Sequence, residues 1–230
     1  MSYAFTLAGQ PLRALPARAL WAPGLRLLAV SDLHLGKAER IARREGRMVP
    51  PYETEETLAR LGDLVSVFRP ATVICLGDSF DDDRAAEALS PAHRTALAGL
   101  MAGRRWIWIA GNHDPAPPEL GGAQVAQHRE AGLVFRHEAA LRLGPGEGGE
   151  VSGHYHPKAR IAGRALPAFL IDEARAILPA FGLYTGGLDV ADAAFDPLAS
   201  PAAQALALSR QVTPVPRAAL VAAARRRRPV

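Results

Sequence analysis

The 230-residue chain is 49% apolar and 22% charged, a balance that can bury a core and that excludes disordered and fibrous classes. Its formal charge is +4, and Arg225 to Arg228 account for it, so composition supplies no basic groove for nucleic acid. A single cysteine excludes an internal disulfide and fits a reducing compartment, and no run of about twenty apolar residues could span a membrane.

Residues 1–24 mix Pro, Arg and short apolar pieces, which predicts one or two edge strands and, because Gly9, Pro11, Arg13 and Pro16 interrupt it, no export leader. A cytoplasmic protein is expected. Leu25 to Ser31 reads as the first core strand and runs into Asp32-Leu33-His34. The charged stretch Ala38 to Arg47 follows, with Arg40, Arg43, Arg44 and Arg47 at helix-like spacing that suits a solvated face and a phosphate-contacting patch equally. After Pro50-Pro51, Leu58, Leu61, Leu64, Val65 and Phe68 recur at helical spacing behind Glu53, Glu55 and Glu56, which favour an N-terminal end, and Pro70 stops the helix.

Ala71 to Leu76 is apolar and β-branched and halts at Gly77-Asp78, the signature of a buried strand that delivers one carboxylate to the open end of a sheet. Cys75 lies within it as a small apolar residue. Beyond the acidic loop Ser79 to Arg84, Ser90-Pro91 caps a helix to Met101, Gly103 ends it, and Trp106 to Ala110 is a strand running into Gly111-Asn112-His113-Asp114. Strand, helix, strand, helix, strand predicts parallel pairing with crossover helices.

The second half changes character. Leu133 to Phe135, Val151-Ser152, Phe169 to Ile171 and Ala176 to Leu178 are short β runs between Gly- and Pro-rich turns, which predicts a more antiparallel sheet packed on the first. A short helix is expected over Ser200 to Leu208. Residues 1–212 then form one α/β domain, a two-sheet β-sandwich flanked by helices. Residues 213–230 form a Pro/Arg-rich, loosely held tail, although Ala218 to Ala224 suits a helix and the terminal arginines suit salt-sensitive binding of nucleic acid.

Four strand ends therefore carry Asp, Asn or His, counting Gly153-His154-Tyr155-His156, and loops leaving the carboxyl ends of strands are where open α/β sheets bind ligands. Asp32, His34, Asp78, Asn112, His137, His154 and His156 are oxygen and imidazole donors without a thiolate, a set that suits Mn²⁺, Fe²⁺ or Zn²⁺ and is large enough for two ions sharing a carboxylate. His93 and His128 fall outside these blocks and read as surface residues.

Asp32-x-His34, Gly77-Asp78-x-x-Asp81, Gly111-Asn112-His113-Asp114, His137 and Gly153-His154-x-His156, in that order, resemble the calcineurin-like binuclear metallophosphoesterase superfamily. The resemblance implies that Asp32, His34 and His156 hold one metal, that Asn112, His137 and His154 hold the other, and that Asp78 bridges them. It further implies that His113 faces the scissile phosphate and serves the leaving oxygen, and that Asp81 orients His113. Substrate contacts would come from Asn112 and His113, with Arg40 and Arg44 added from the charged helix. Two cations polarise a phosphodiester and lower the pKa of a shared water, while a positioned imidazole assists leaving-group departure, so hydrolysis needs no covalent enzyme intermediate.

A narrower likeness runs through Asp32 to Ala38, Pro50-Pro51-Tyr52, His156-Pro157 and Leu178 to Leu188, which are similar to the bacterial ligase-associated DNA damage response endonucleases. That branch implies a Mn²⁺-dependent enzyme acting on DNA, single strands especially, in functional association with a DNA ligase and a helicase. Two rivals accompany it: a phosphoesterase for a small nucleotide or lipid-linked diphosphate, and a binding subunit without catalysis, which would have eroded donors.

Overall fold

The computed structural model describes residues 1–114 and 120–227. In chain order the strands of the first half are β1 (Tyr3–Leu7), β2 (Gln10–Ala14), β3 (Leu20–Ala22) and β4 (Leu27–Val30), followed by α1 (Lys37–Glu45), α2 (Glu53–Phe68), β5 (Thr72–Leu76), α3 (Asp83–Glu87), α4 (Pro91–Met101), β6 (Arg105–Ile109) and β7 (Ala123–Val125). They make one seven-stranded sheet in sequential order, antiparallel from β1 to β4 and parallel from β4 to β7.

β5 explains why this sheet needs a layer on each face. Its Val73 and Cys75 pack outward against Leu58, Leu61, Leu64 and Val65 of α2, while Ile74 and Leu76 turn inward to the second sheet. A strand buried on both faces reads as an unbroken apolar run. The α4 start is as expected, with the Ser90 hydroxyl accepting a bond from the His93 N–H at 3.1 Å.

The second sheet contains β8 (Gln127–Glu130), β9 (Leu133–Arg136), β10 (Gly149–Ser152), β11 (Lys158–Ile161), β12 (Arg164–Ile171), β13 (Arg175–Ile177), β14 (Gln204–Leu208) and β15 (Val212–Pro216), and α5 (Arg217–Arg227) follows it. Its order is β15-β14-β12-β13-β10-β9-β8, with β11 paired to β12. Most pairings are antiparallel as expected, but β9, β10 and β13 run parallel. β9 reaches β10 through a loop and β10 reaches β13 through β11 and β12, so no helical periodicity announced the parallel pairing, and the carboxyl ends lie on the same side as His137 and His154. Leu133, Phe135, Val151, Phe169, Ala176, Leu178 and Leu206 meet the first sheet's inner face in one core.

Two expectations are corrected. The helix expected over Ser200 to Leu208 is strand β14, because Leu206 and Leu208 both enter the inter-sheet core while Ala205 and Ala207 pack against Leu220 on the other face. Helix-favouring residues here follow a period of two, and packing overrides propensity. The segment from 213 also does not start as a free tail: β15 pairs antiparallel with β14, and Arg217 is buried with its guanidinium 2.7 Å from Asp196. Pro214 and Pro216 are tolerated because β15 is an edge strand, where a missing N–H breaks no inner ladder. Of the terminal arginines, Arg225 and Arg226 are exposed, and Arg228 lies outside the described residues. No helix among the described residues is long and apolar enough to cross a membrane.

Candidate metal centre

β4, β5 and β6 end at the same edge, and the loops leaving them are laced together. The Asp32 N–H donates to the Gly77 carbonyl at 3.2 Å, and the His34 N–H to the Asp78 carbonyl at 2.9 Å. From the second sheet, the Gly153 N–H donates to the His137 carbonyl at 2.8 Å and the His154 N–H to Asp32 Oδ2 at 3.1 Å. Four loops distant in sequence thus share one hydrogen-bond network, closed through the Asp32 carboxylate. Asp32, His34, Asp78, His154 and His156 all have φ between 45° and 67°, the left-handed region that non-glycine residues seldom enter. Concentrated strain of this kind persists where surrounding structure holds it and marks functional sites.

The donors gather in two groups. Asp32, His34 and His156 each offer a ligand atom within 4.8 Å of the others, and so do Asp78, His137 and His154; His34, Asp81 and His113 form a third set at that distance, in which Asp81 and His113 lie outside the seven donors. In the second group His137 Nδ1–H donates to the Leu76 carbonyl at 2.8 Å, which leaves Nε2 as a lone pair. That lone pair lies 2.9 Å from Asn112 Oδ1 and 3.1 Å from His154 Nδ1, and Asn112 Oδ1 lies 3.0 Å from His154 Nδ1. His137 Nε2 against Asn112 Oδ1 is acceptor facing acceptor, repulsive without a cation between them, and separations of roughly 3.0 to 3.4 Å are those produced by bonds of about 2.1 Å to one ion.

In the first group His156 Nε2 is 3.1 Å from Asp32 Oδ1. His34 Nδ1 is 2.8 Å from Asp81 Oδ1 as an ion-pair contact, neither of its buried ring nitrogens meets hydrogen-bond geometry, and Nε2 lies 4.0 Å from Asp78 Oδ2. Asp78 Oδ2 is also 3.5 Å from His137 Nε2, so this one carboxylate faces both groups. Burial pushes the His34 and His154 imidazoles below their ordinary values, the charge of His137 adding to the effect at His154. Burial would raise the Asp32 carboxyl, but the His156 bond and the nearby His137 and His34 hold it below the usual carboxylate range. Neutral imidazoles and ionised carboxylates are the ligating forms, so the donors fit two divalent ions.

The remaining expected site residues fall as follows. His113 sits edge-on to His34 with ring centroids 5.1 Å apart, and its backbone N–H donates to Asp78 Oδ1 at 2.9 Å. Its Nδ1–H donates at 2.9 Å to the backbone carbonyl of Asp81, not to the carboxylate. The Asp81 carboxylate instead meets His34, Lys37 Nζ at 2.9 Å and Arg40 Nε at 3.3 Å, so its positioning effect falls on His34. Those bonds hold it well below the usual range despite burial. Asp82 caps α3 and takes Arg43 and Arg44 at 2.9 and 3.0 Å. Arg40 and Arg44, expected near substrate, are therefore both engaged by the loop after Asp78. The Asp83 side chain lies outside the described residues. His128, 2.9 Å from Glu130, sits away from both groups.

Sequence reasoning assigned no role to Asp114. It is buried and accepts the N–H groups of Ser79 at 2.7 Å, Phe80 at 3.1 Å and Gly111 at 3.2 Å, stapling the Asp78 loop to the Asn112 loop. Burial first, and then the Asp78 charge, push its carboxyl up to about 7. The spacing of the Gly111 to Asp114 block gives no hint of this, since Ser79 and Phe80 lie 35 and 34 positions away. Asp114→Ala would leave buried donors unsatisfied and should cost about 3 kcal/mol or more, read as a fall in melting temperature of the metal-free protein.

Close approach also fixes Gly153. A methyl group there would stand 1.6 Å from Ser31 Oγ and 2.5 Å from Asp32 Oδ2. Gly153→Ala is expected to cost about 3 kcal/mol or more and to displace Asp32, so thermal stability and bound metal fall together.

Two clefts border this end of the molecule. One of about 240 Å³ is lined by His156 together with Arg18, Lys158, Pro167, Tyr184 and Thr185. Burial and the neighbouring Arg18 push the Lys158 ammonium below its ordinary value. Another of about 250 Å³ lies among α1, α2 and α4 and contains none of the donors.

A calcineurin-like phosphoesterase family model matches residues 25–187, a span that includes every donor. The crystal structure of a Pseudomonas putida nuclease, MPE, is similar to this chain with a TM-score of 0.76 and 31% sequence identity, covering 94% of this chain and 100% of that one. No curated protein gives a significant match.

Proposed function

This chain belongs to the calcineurin-like phosphoesterase family, and we propose that within it the protein is a Mn²⁺-dependent phosphodiesterase that cuts DNA internally, preferring single strands, in DNA repair. The observation that carries the reading is Asp78, one carboxylate facing His34 at 4.0 Å and His137 at 3.5 Å from two separate donor groups. Likeness to a nuclease along its whole length supports nucleic acid as the substrate class. All seven donors are in place, which argues against a subunit without catalysis.

In this reading Asp32, His34 and His156 hold one ion, Asn112, His137 and His154 the other, and Asp78 both. When bound, the pair supplies charge neutralisation at the phosphate and a water of lowered pKa. Asp81 holds His34 by an ion-pair contact at Nδ1, 2.8 Å away, and the Leu76 carbonyl orients His137 by taking its Nδ1–H. With His113 Nδ1–H held on the Asp81 carbonyl, Nε2 is the atom that stabilises or protonates the departing oxygen. Functional association with a DNA ligase and a helicase belongs to the same proposal.

The test offers the Mn²⁺-loaded protein closed-circular single-stranded DNA, duplex DNA and small nucleotides side by side. Linearisation of the circle is the expected result, because a circle has no end to degrade. Hydrolysis of small nucleotides with intact circles would replace the nuclease reading with a nucleotide phosphoesterase.

A further inference from the structure

Resting on that nucleic-acid reading, we propose that the cleft bordered by Arg18, Lys158 and Tyr184 is a second phosphate subsite. It would hold the backbone phosphate adjacent to the scissile one, with the intervening nucleoside against Tyr184.

Position is the first argument. His156 belongs both to the Asp32 group and to the cleft wall, so a strand crossing the metal centre runs directly into it. At about 240 Å³ the cleft is smaller than the roughly 300 Å³ at which whole-ligand pockets begin, which suits one unit of a polymer.

Charge is the second. Lys37, Arg40, Arg43 and Arg44, on the α1 side, are all paired with carboxylates. Among the described residues Arg18 and Lys158 have no ion-pair partner. They donate only to backbone carbonyls, Lys158 to Thr185 at 3.2 Å and Arg18 to Ala180 at 3.5 Å and Gly182 at 3.2 Å. Each keeps unused N–H donors, and the carbonyls hold both heads in place before any ligand arrives. Glu56 offsets part of the Arg18 charge without pairing with it, Arg18 still repels Lys158, and a phosphate relieves that repulsion.

The third is the aromatic wall. Tyr184 is 45% exposed, yet its hydroxyl donates to the Pro50 carbonyl at 3.3 Å and its backbone is left-handed at φ 54°. An exposed ring held in place is a base-stacking platform, and stacking tolerates any sequence.

The test combines binding and turnover. A short labelled single-stranded oligonucleotide is titrated in chelator at several salt concentrations against wild type, Lys158→Gln and Tyr184→Ala. Lys158→Gln should lower the slope of log K against log salt by about 0.7, the value for one phosphate contact on a single strand. Tyr184→Ala should weaken binding about tenfold with the slope kept.

In the Mn²⁺ enzyme, kcat/KM for the oligonucleotide relative to a minimal aryl phosphodiester should fall about tenfold in Lys158→Gln. A neutral methylphosphonate beside the scissile position should cause a similar fall in wild type and no further fall in the variant, since both changes remove one contact. Unchanged slopes, an unchanged ratio or additive losses overturn the subsite alone. Wild-type protein that hydrolyses the minimal diester but neither binds nor cuts oligonucleotides overturns the nucleic-acid reading, and the subsite with it.

Discussion

Asp78→Asn is expected to leave a folded protein that retains neither ion tightly and turns over phosphodiesters at least about 10³-fold more slowly, a loss of about 4 kcal/mol in transition-state stabilisation. The amide keeps the size of the side chain, and its oxygen can still accept the His113 N–H that Asp78 Oδ1 takes at 2.9 Å. The loop connection therefore survives. What is lost is charge, together with the second carboxylate oxygen that faces His34 and His137 at once. An NH₂ group in that place presents protons to two imidazole lone pairs. Metal content after gel filtration, melting temperature and diester hydrolysis check the three parts, and a variant with two tightly held ions and ordinary turnover would remove Asp78 from the centre of the mechanism.

His113→Ala should behave in the opposite way, retaining both ions while turnover falls by about 10² to 10⁴. The loss should be largest on DNA, whose leaving alkoxide needs a proton, and smallest on an aryl ester, whose leaving group does not. This separation follows from geometry: His113 contacts the donors through its backbone N–H and a ring edge, and its Nδ1 is taken by the Asp81 carbonyl. Loss of metal would mean that His113 is itself a ligand. Asp81→Asn supplies a contrast. Its carboxylate meets His34, so the amide should weaken the Asp32, His34, His156 ion and leave the dependence on leaving group unchanged. A variant that instead copies His113→Ala would restore Asp81 as the residue orienting His113.

Much of the first sheet was legible because its signals are local. An apolar run that stops at Gly77-Asp78 or Gly111-Asn112 fixes a strand and the identity of the residue at its end whatever lies beside it. The second sheet was harder to read. β9, β10 and β13 pair in parallel without helical crossovers, and β14 is built from residues that favour helix until Leu206 and Leu208 find a core. The Pro-containing β15 looked unstructured because an edge position, which the chain does not spell out, is what makes proline acceptable.

By itself the sequence determined the donor types, their order, and their placement at strand ends, since each depends on residues within a few positions of one another. Only the tertiary structure showed which side chains come within 4.8 Å of one another, that the Asp81 carboxylate meets His34 while its backbone carbonyl meets His113, that Asp114 ties two loops together, and that Arg40 and Arg44 pair with carboxylates while, among the described residues, Arg18 and Lys158 do not. The reason is that a side chain's partner is set by which loops the two sheets bring within about 3 Å, a distance across space that separation along the chain does not encode.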